Sequence, residues 1–506
     1  MNLIFIVIDS LNRDFLKAYG QPVELPVQTP NIDELAQRGV RFDNHFAGSL
    51  PCMPARREML TGTQEFLWRS WGPLEPFDEP LPRVARKNGY VTQLITDHFH
   101  YFQHGSHGYF NDFQGFEFIR GHEFDAWKTA PLHPRQAWLD QLLVDPEQLT
   151  TEPLNRIAYA RNAAAFREER DFMSPRVFQT AADWIEENHN QDKFFLMVDC
   201  FDVHEPFHVP DSYAQMYTKE DVHDPSLTIW PRYGNIAKGS PQQLSARQVA
   251  FVRAQYAAKM TLVDAWLGRL FGEMSRHHLW DSTAVILTTD HGHYLGEHGS
   301  MGKPHILNYN VLTHIPLLMY HPDLAQGGRT VSSLTGTVDL YNTMRDVMGC
   351  AIHEPSHSRS LMPLLEGSGT DRRRWHMYGY FGQDLNITDG NYTYHVAPEA
   401  GSPLFLYSTM FMNATNWFRP VKIPSLVESG PFLPYTSATV WRYPVEMPTL
   451  SHAPKLFNYR EEPAQSKNLA EVERDTSSRM ASLARTAADE LEAPPEIRER
   501  FPSLWR

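Results

Sequence analysis

Leu3-Ile4-Phe5-Ile6-Val7-Ile8 is an unbroken apolar run, rich in β-branched residues, with Asp9 directly after it. A run without polar alternation predicts a strand covered on both faces, as in a parallel sheet. Comparable runs occur at 89–95, 194–198, 283–288 and 315–320, and 40–45 reads as a further strand. Between them lie segments of helical period: 30–39, opened by Pro30 and closed by Gly39, then 52–63, 176–188, 245–278 and 337–348. Strands alternating with helices predict an α/β layered fold. The stretch 101–151, dense in aromatics, His and Gly, reads as irregular.

Past residue 370 the texture changes. Segments 375–380, 392–396 and 404–407 read as short antiparallel strands, and Lys455 to Tyr459 as a closing strand. Residues 471–506 are charged and helical in character. They suit either an arm onto a neighbouring copy, giving a dimer or tetramer, or a solvated terminal helix. Three parts result: a catalytic α/β domain at 1–370, an antiparallel-sheet subdomain at 371–470, and a helical tail at 471–506.

Charge narrows the function. With 46 basic and 60 acidic residues the net charge is −14, so nucleic acid is not an expected partner. An anion site must be made positive locally. Cys52, Cys200 and Cys350 are too few for a disulfide framework, which suits a reducing compartment. No apolar run reaches the ~18 residues of a membrane span. The apolar start lacks a basic flank and a cleavage site. A cytoplasmic enzyme without membrane contact is expected.

Asp9 ends a buried strand, where ligands of open α/β sheets collect. Taken alone, Asp9 is better explained as a helix N-cap. Cys52-Met53-Pro54-Ala55-Arg56, followed by Leu60-Thr61-Gly62, resembles the type I sulfatase signature, C-x-P-x-R and then T-G. The segment from Asp290-His291-Gly292 through Leu295-Gly296-Glu297-His298-Gly299 to Lys303 resembles the second block of that family. His204, in Asp202-Val203-His204-Glu205-Pro206, is similar to its H-x-P histidine, and Asn468-Leu469-Ala470 to its closing element.

The resemblance implies a fold like alkaline phosphatase: a central mixed sheet flanked by helices, plus a smaller C-terminal subdomain with an antiparallel sheet. It implies that a formylglycine-generating enzyme oxidises Cys52 to an aldehyde, whose hydrate is an oxygen nucleophile. Sulfate transferred to one hydroxyl is expelled when the other is deprotonated, which divides the reaction into two easier steps. One divalent metal, calcium or manganese, would be held by Asp9, Cys52, Asp290 and His291. Arg56 would orient the nucleophile, Lys303 would bind the sulfate, and His204 would bind it or protonate the leaving oxygen. The substrate would be a small anionic ester, an aryl or small alkyl sulfate.

The sequence also departs from the family. Its G-K-W-H element is replaced by Thr96-Asp97-His98-Phe99, so the lysine position holds Asp97 and the histidine position Phe99. His98 and His100, which would share a face if the strand continued, are the candidate substitutes for substrate binding, with His104 and His107 nearby. The Asp290–His291 pair, in place of Asp-Asn, resembles the phosphonate monoester hydrolase and choline sulfatase branch. Phosphonate monoester or phosphodiester hydrolysis is therefore the alternative. A two-zinc phosphatase that does not need Cys52, and a non-catalytic anion binder, are more distant rivals. The aromatic run Tyr101, Phe102, Tyr109, Phe110 and Trp127 suits a flat leaving group or ordinary packing.

Overall fold

The structure, a computed structural model, describes residues 1–20, 24–103, 105–144, 156–324, 327–353, 356–368, 373–414 and 426–505; His104 lies outside them. An eight-stranded sheet runs in the order Arg329–Val331, Val40–Phe42, Leu317–Tyr320, Thr283–Thr288, Asn2–Ile8, Phe194–Cys200, Val91–Thr96, Gly115–Phe118. Leu317–Tyr320 runs against both neighbours, and every other pairing in this sheet is parallel.

The strand Asn2–Ile8 is buried throughout, and its side chains alternate between two cores. Ile4, Ile6 and Ile8 face the helices Met173–Asn188 and Ala246–Arg276. Leu3, Phe5 and Val7 face Cys52–Thr61 and Asp339–Val347 on the opposite side. The twofold period of a strand thus feeds both layers, which is why the segment shows no polar alternation. Ala246–Arg276 opens on a reciprocal cap: Ser245 Oγ accepts from the Gln248 N–H, and Gln248 Oε1 accepts from the Ser245 N–H.

A second sheet runs Lys455–Asn458, Tyr392–Val396, Leu385–Thr388, His376–Tyr380, all antiparallel. Ser49–Leu50 joins its edge in parallel with Gly379 and Tyr380. The chain immediately ahead of Cys52 is thereby tied to the C-terminal part. Arg474–Glu490 lays Met480, Ala484, Ala487 and Ala488 onto Leu385, Ile387, Val396 and Leu456 of this sheet. The apolar stripe of the tail is thus covered within its own chain.

Two local expectations change. The strand expected at 404–407 is Phe405–Ser408, and it pairs with Val440–Pro444 in a separate three-stranded sheet. The stretch read as irregular contains the edge strand Gly115–Phe118 and the helix Gln136–Gln141. Phe102, Phe110, Phe116 and Phe118 stack on one another along that edge, while Tyr109 donates to the carbonyls of Met53 and Gly72. Packing therefore accounts for most of the aromatic run. Among the described residues, no helix is long and apolar enough to cross a membrane.

Candidate active site

Four adjacent parallel strands deliver their carboxyl ends to one place. Asp9 follows the strand Asn2–Ile8, Asp199 lies in Phe194–Cys200, His98 follows Val91–Thr96, and Asp290 and His291 follow Thr283–Thr288. Cys52 meets them as the first residue of the helix Cys52–Thr61, which ends at Gly62 in a left-handed cap (φ 72°). Free N–H groups and the positive end of the helix dipole make that position favourable for an anion.

Arg56, one turn along the helix and fully buried, organises the carboxylates. Its Nε and Nη2 donate to the two Asp199 oxygens, both at 2.7 Å, and its Nη1 donates to Asp290 Oδ2 at 2.6 Å. Nη2 also lies 3.0 Å from Asp9 Oδ2, though that oxygen has no partner of hydrogen-bond geometry among the described residues. Ser10, in a left-handed conformation (φ 60°), straps the site from the other side. Its N–H donates to Asp290 Oδ1 at 3.1 Å, and its hydroxyl to Asp9 Oδ1 at 2.7 Å. Glu58, on the same helix as Cys52, accepts from the N–H and the hydroxyl of Ser49, both at 2.7 Å. The loop leading to Cys52 is pinned by these bonds.

Nδ1 of His291 lies 2.9 Å from the Gly292 carbonyl oxygen, so Nδ1 carries the proton and Nε2 a lone pair. Nε2 lies 3.3 Å from Cys52 Sγ and 3.3 Å from Asp290 Oδ2. Burial, the main cause, pushes the His291 pKa down to about 3, so the ring is neutral. Gly292 serves close packing more than turning, because a Cβ there would sit 1.9 Å from the Val311 carbonyl oxygen. Asp9, Cys52, Asp290 and His291 each bring a ligand atom to within 4.8 Å of the others. Burial raises the Asp9 pKa well up and repulsion from Asp290 raises it further, a conflict that a divalent cation between them removes. These four residues fit such an ion.

Lys303 Nζ lies 3.4 Å from Cys52 Sγ. Burial opposes its charge, but Cys52, Asp9, Glu205 and Asp290 outweigh that and hold it protonated. The Cys52 thiol is itself pushed well up, first by burial and then by Asp9.

His98 and His100 do come together, but not by strand alternation. The strand ends at Thr96, and a 3-10 turn over Phe99–Phe102 brings the two rings to 5.2 Å. His98 is fully buried with Nε2 3.4 Å from Asp9 Oδ2, and His100 Nε2 lies 3.4 Å from Glu123 Oε2. Asp97, at the family's lysine position, is buried and accepts from the Phe201 N–H at 2.6 Å. His204 Nδ1 donates to the Glu205 carbonyl at 2.8 Å, and burial pushes its pKa well down, so its Nε2 presents a lone pair.

Several residues at the site carry no motif. Asp199 merely extends an apolar run by one position beyond Val198. Tyr101 donates to Asp199 from within the aromatic stretch. Glu205 and His293 stand beside recognised residues, whereas Glu123 gives no sequence signal at all.

The site has the parts of a hydrolase for tetrahedral anionic esters: a residue at a helix N-terminus, a fixed ammonium and a cluster of cation ligands. Residues 1–350 match the family described as Sulfatase, and the chain belongs to that family, within the alkaline phosphatase superfamily. It is 26% identical over 434 residues to the multifunctional alkaline phosphatase superfamily protein PehA of Trinickia caryophylli, covering 74% of this chain and 78% of that protein. It is 23% identical over 410 residues to an arylsulfatase of Clostridium perfringens, covering 76% and 82%. Its fold is similar to that of the phosphonate monoester hydrolase of Agrobacterium radiobacter, with a TM-score of 0.67, 20% identity and 97% and 96% of the two chains covered. The chain is a sulfuric ester hydrolase.

Proposed function

We propose that the protein hydrolyses aryl or small alkyl sulfates at residue 52, after a formylglycine-generating enzyme has converted Cys52 to formylglycine. The position of Cys52 carries this reading: it opens a helix, with Sγ 3.3 Å from His291 Nε2 and 3.4 Å from Lys303 Nζ. A buried thiol held protonated is a poor nucleophile. The hydrated aldehyde at the same place supplies an oxygen nucleophile and a second hydroxyl that allows sulfate to be expelled. Calcium or manganese, held by Asp9, Asp290, His291 and residue 52, would acidify a hydroxyl beside it.

Arg56 keeps Asp9, Asp199 and Asp290 in place. Lys303 offers a fixed positive charge to the sulfuryl oxygens and to charge developing on the leaving oxygen. Neutral His204 offers a lone pair on Nε2, and the acidic groups around Lys303 hold its proton firmly, so neither is a ready proton donor in the resting site. That favours leaving groups that depart as stable anions, such as phenolates. The comparison of kcat/KM on an aryl sulfate and on the matching aryl phosphonate monoester tests the reading, with the sulfate expected to be turned over faster.

One observation favours the phosphonate alternative. Asp97 stands where the sulfatase pattern has a lysine, so the pocket has one cation fewer for a sulfate. Faster turnover of the phosphonate would assign the protein to that activity.

A further inference from the structure

We propose that Glu123, His204 and Glu205 form a second divalent-cation site, separate from the one at Asp9, Asp290 and His291. One ligand atom from each lies within 4.8 Å of the other two. An ion with bonds of about 2.0–2.6 Å spans such a gap. The residues are enclosed, at 6%, 3% and 2% exposure respectively.

The carboxylates of this cluster feel Lys303 and Arg156 only from beyond ion-pair distance. Among the described residues, no lysine or arginine lies within ion-pair distance of Glu123 or Glu205. Oε2 of each has no hydrogen-bond partner among them. Burying two unpaired carboxylates is costly. Imidazoles surround them: His293, 1% exposed and with neither ring nitrogen hydrogen-bonded, has Nε2 3.6 Å from Glu205 Oε2. His100 Nε2 approaches Glu123 Oε2 to 3.4 Å. Because His204 Nδ1 donates to the Glu205 carbonyl, the lone pair on Nε2 is free to act as a ligand. Glu123 also holds a left-handed backbone (φ 41°), a conformation unfavourable for a non-glycine residue.

A neighbouring cluster shows what a satisfied one looks like. Asp97, His122 and Asp202 also converge, but there Lys259 forms an ion pair with Asp202 and donates to the carbonyls of His204 and Pro206. That cluster carries its own cation and holds the 204–206 loop. The glutamate cluster beside it has no such direct ion pair with a lysine or arginine among the described residues. Two carboxylates balance one dication, and the imidazoles favour manganese or zinc over calcium, which prefers oxygen ligands throughout.

The proposal does not depend on which ester is hydrolysed. Full-length protein stripped with chelator is dialysed against Mn²⁺, and the bound metal is counted. Wild type should hold one more ion per chain than Glu123→Gln or Glu205→Gln, and Asp290→Asn should retain that ion. Equal metal content in wild type and in both glutamate variants overturns the proposal. Should the variants not fold, anomalous scattering from Mn²⁺-soaked wild-type crystals decides. A peak between Glu123 and Glu205 supports the site; its absence at Mn²⁺ levels that fill the Asp9–Asp290 site overturns it, as it would if the glutamates instead received an ammonium group of the substrate.

Discussion

Nε2 of His291 lies 3.3 Å from Sγ of Cys52, across 239 positions of chain. One residue follows a central strand and the other opens a helix packed on that sheet, so the contact exists only when both layers are in register. The bond from Nδ1 to the Gly292 carbonyl fixes which nitrogen faces the thiol. Replacing His291 with Ala removes an imidazole from the proposed ligand set and leaves Asp9 and Asp290 facing each other. Metal affinity should fall by at least about 10- to 100-fold. Equilibrium dialysis should show the loss, and excess metal should restore part of the activity. Unchanged affinity would remove His291 from the ligand set.

Arg56 is the sole guanidinium in direct contact with Asp9, Asp199 and Asp290 among the described residues. Arg56→Ala strands buried carboxylates and should cost about 3–5 kcal/mol of stability. Arg56→Lys keeps the charge but cannot reproduce the fork that meets both Asp199 oxygens. It should recover part of the stability and little of the activity. Urea denaturation of the two variants checks this; a loss below about 1 kcal/mol for Arg56→Ala would contradict the picture.

On the proposed reading, Lys303 supplies charge where the leaving group departs. Lys303→Ala should lower kcat by roughly 10²- to 10³-fold, as removal of a transition-state electrostatic contact does elsewhere. The loss should be smaller on esters of more acidic phenols, which need less stabilisation. A loss independent of leaving-group acidity would place Lys303 on the sulfuryl oxygens alone.

His452 gives a pH test at a residue outside the proposed metal-ligand set. Its Nε2 lies 2.7 Å from Asp384 Oδ2 and its Nδ1 2.8 Å from the Ala453 carbonyl, so both nitrogens face acceptors. Burial alone would lower its pKa, but these bonds outweigh it and the net shift is upward. The protonated ring is thus favoured in the fold. Its contribution is complete below the ordinary histidine value of about 6.5 and is lost as pH rises through the higher folded value. The stability of wild type to urea should fall over that window relative to His452→Gln. Parallel pH profiles for the two proteins would refute the assignment.

The parts legible in the sequence are those that signal locally. Asn2–Ile8 and Thr283–Thr288 read as buried strands because both of their faces are covered. Cys52, Asp290 and His291 sit in short segments with recognisable spacing. Asp199 was not legible as an Arg56 partner, because its role comes from the register that sets it beside Val7 and Thr96. Glu123 approaches His204 through a connection that carries no repeat or motif. Gly115–Phe118 was missed because it is an edge strand, with Phe116 left 46% exposed, so it shows neither clean alternation nor a continuous apolar run. Leu385–Thr388 is brief and includes buried Asn386, whose amide is satisfied by the Tyr378 and Asp384 carbonyls. Tertiary partners, not local propensity, make it a strand.

The mass of the peptide carrying residue 52 addresses the central claim most directly. In active protein matured alongside a formylglycine-generating enzyme, it should be lower than the cysteine form by about 18 Da, the change from thiol to aldehyde, and turnover should rise in proportion to the converted fraction. Full activity with an intact thiol, or undiminished activity in Cys52→Ala, would contradict it.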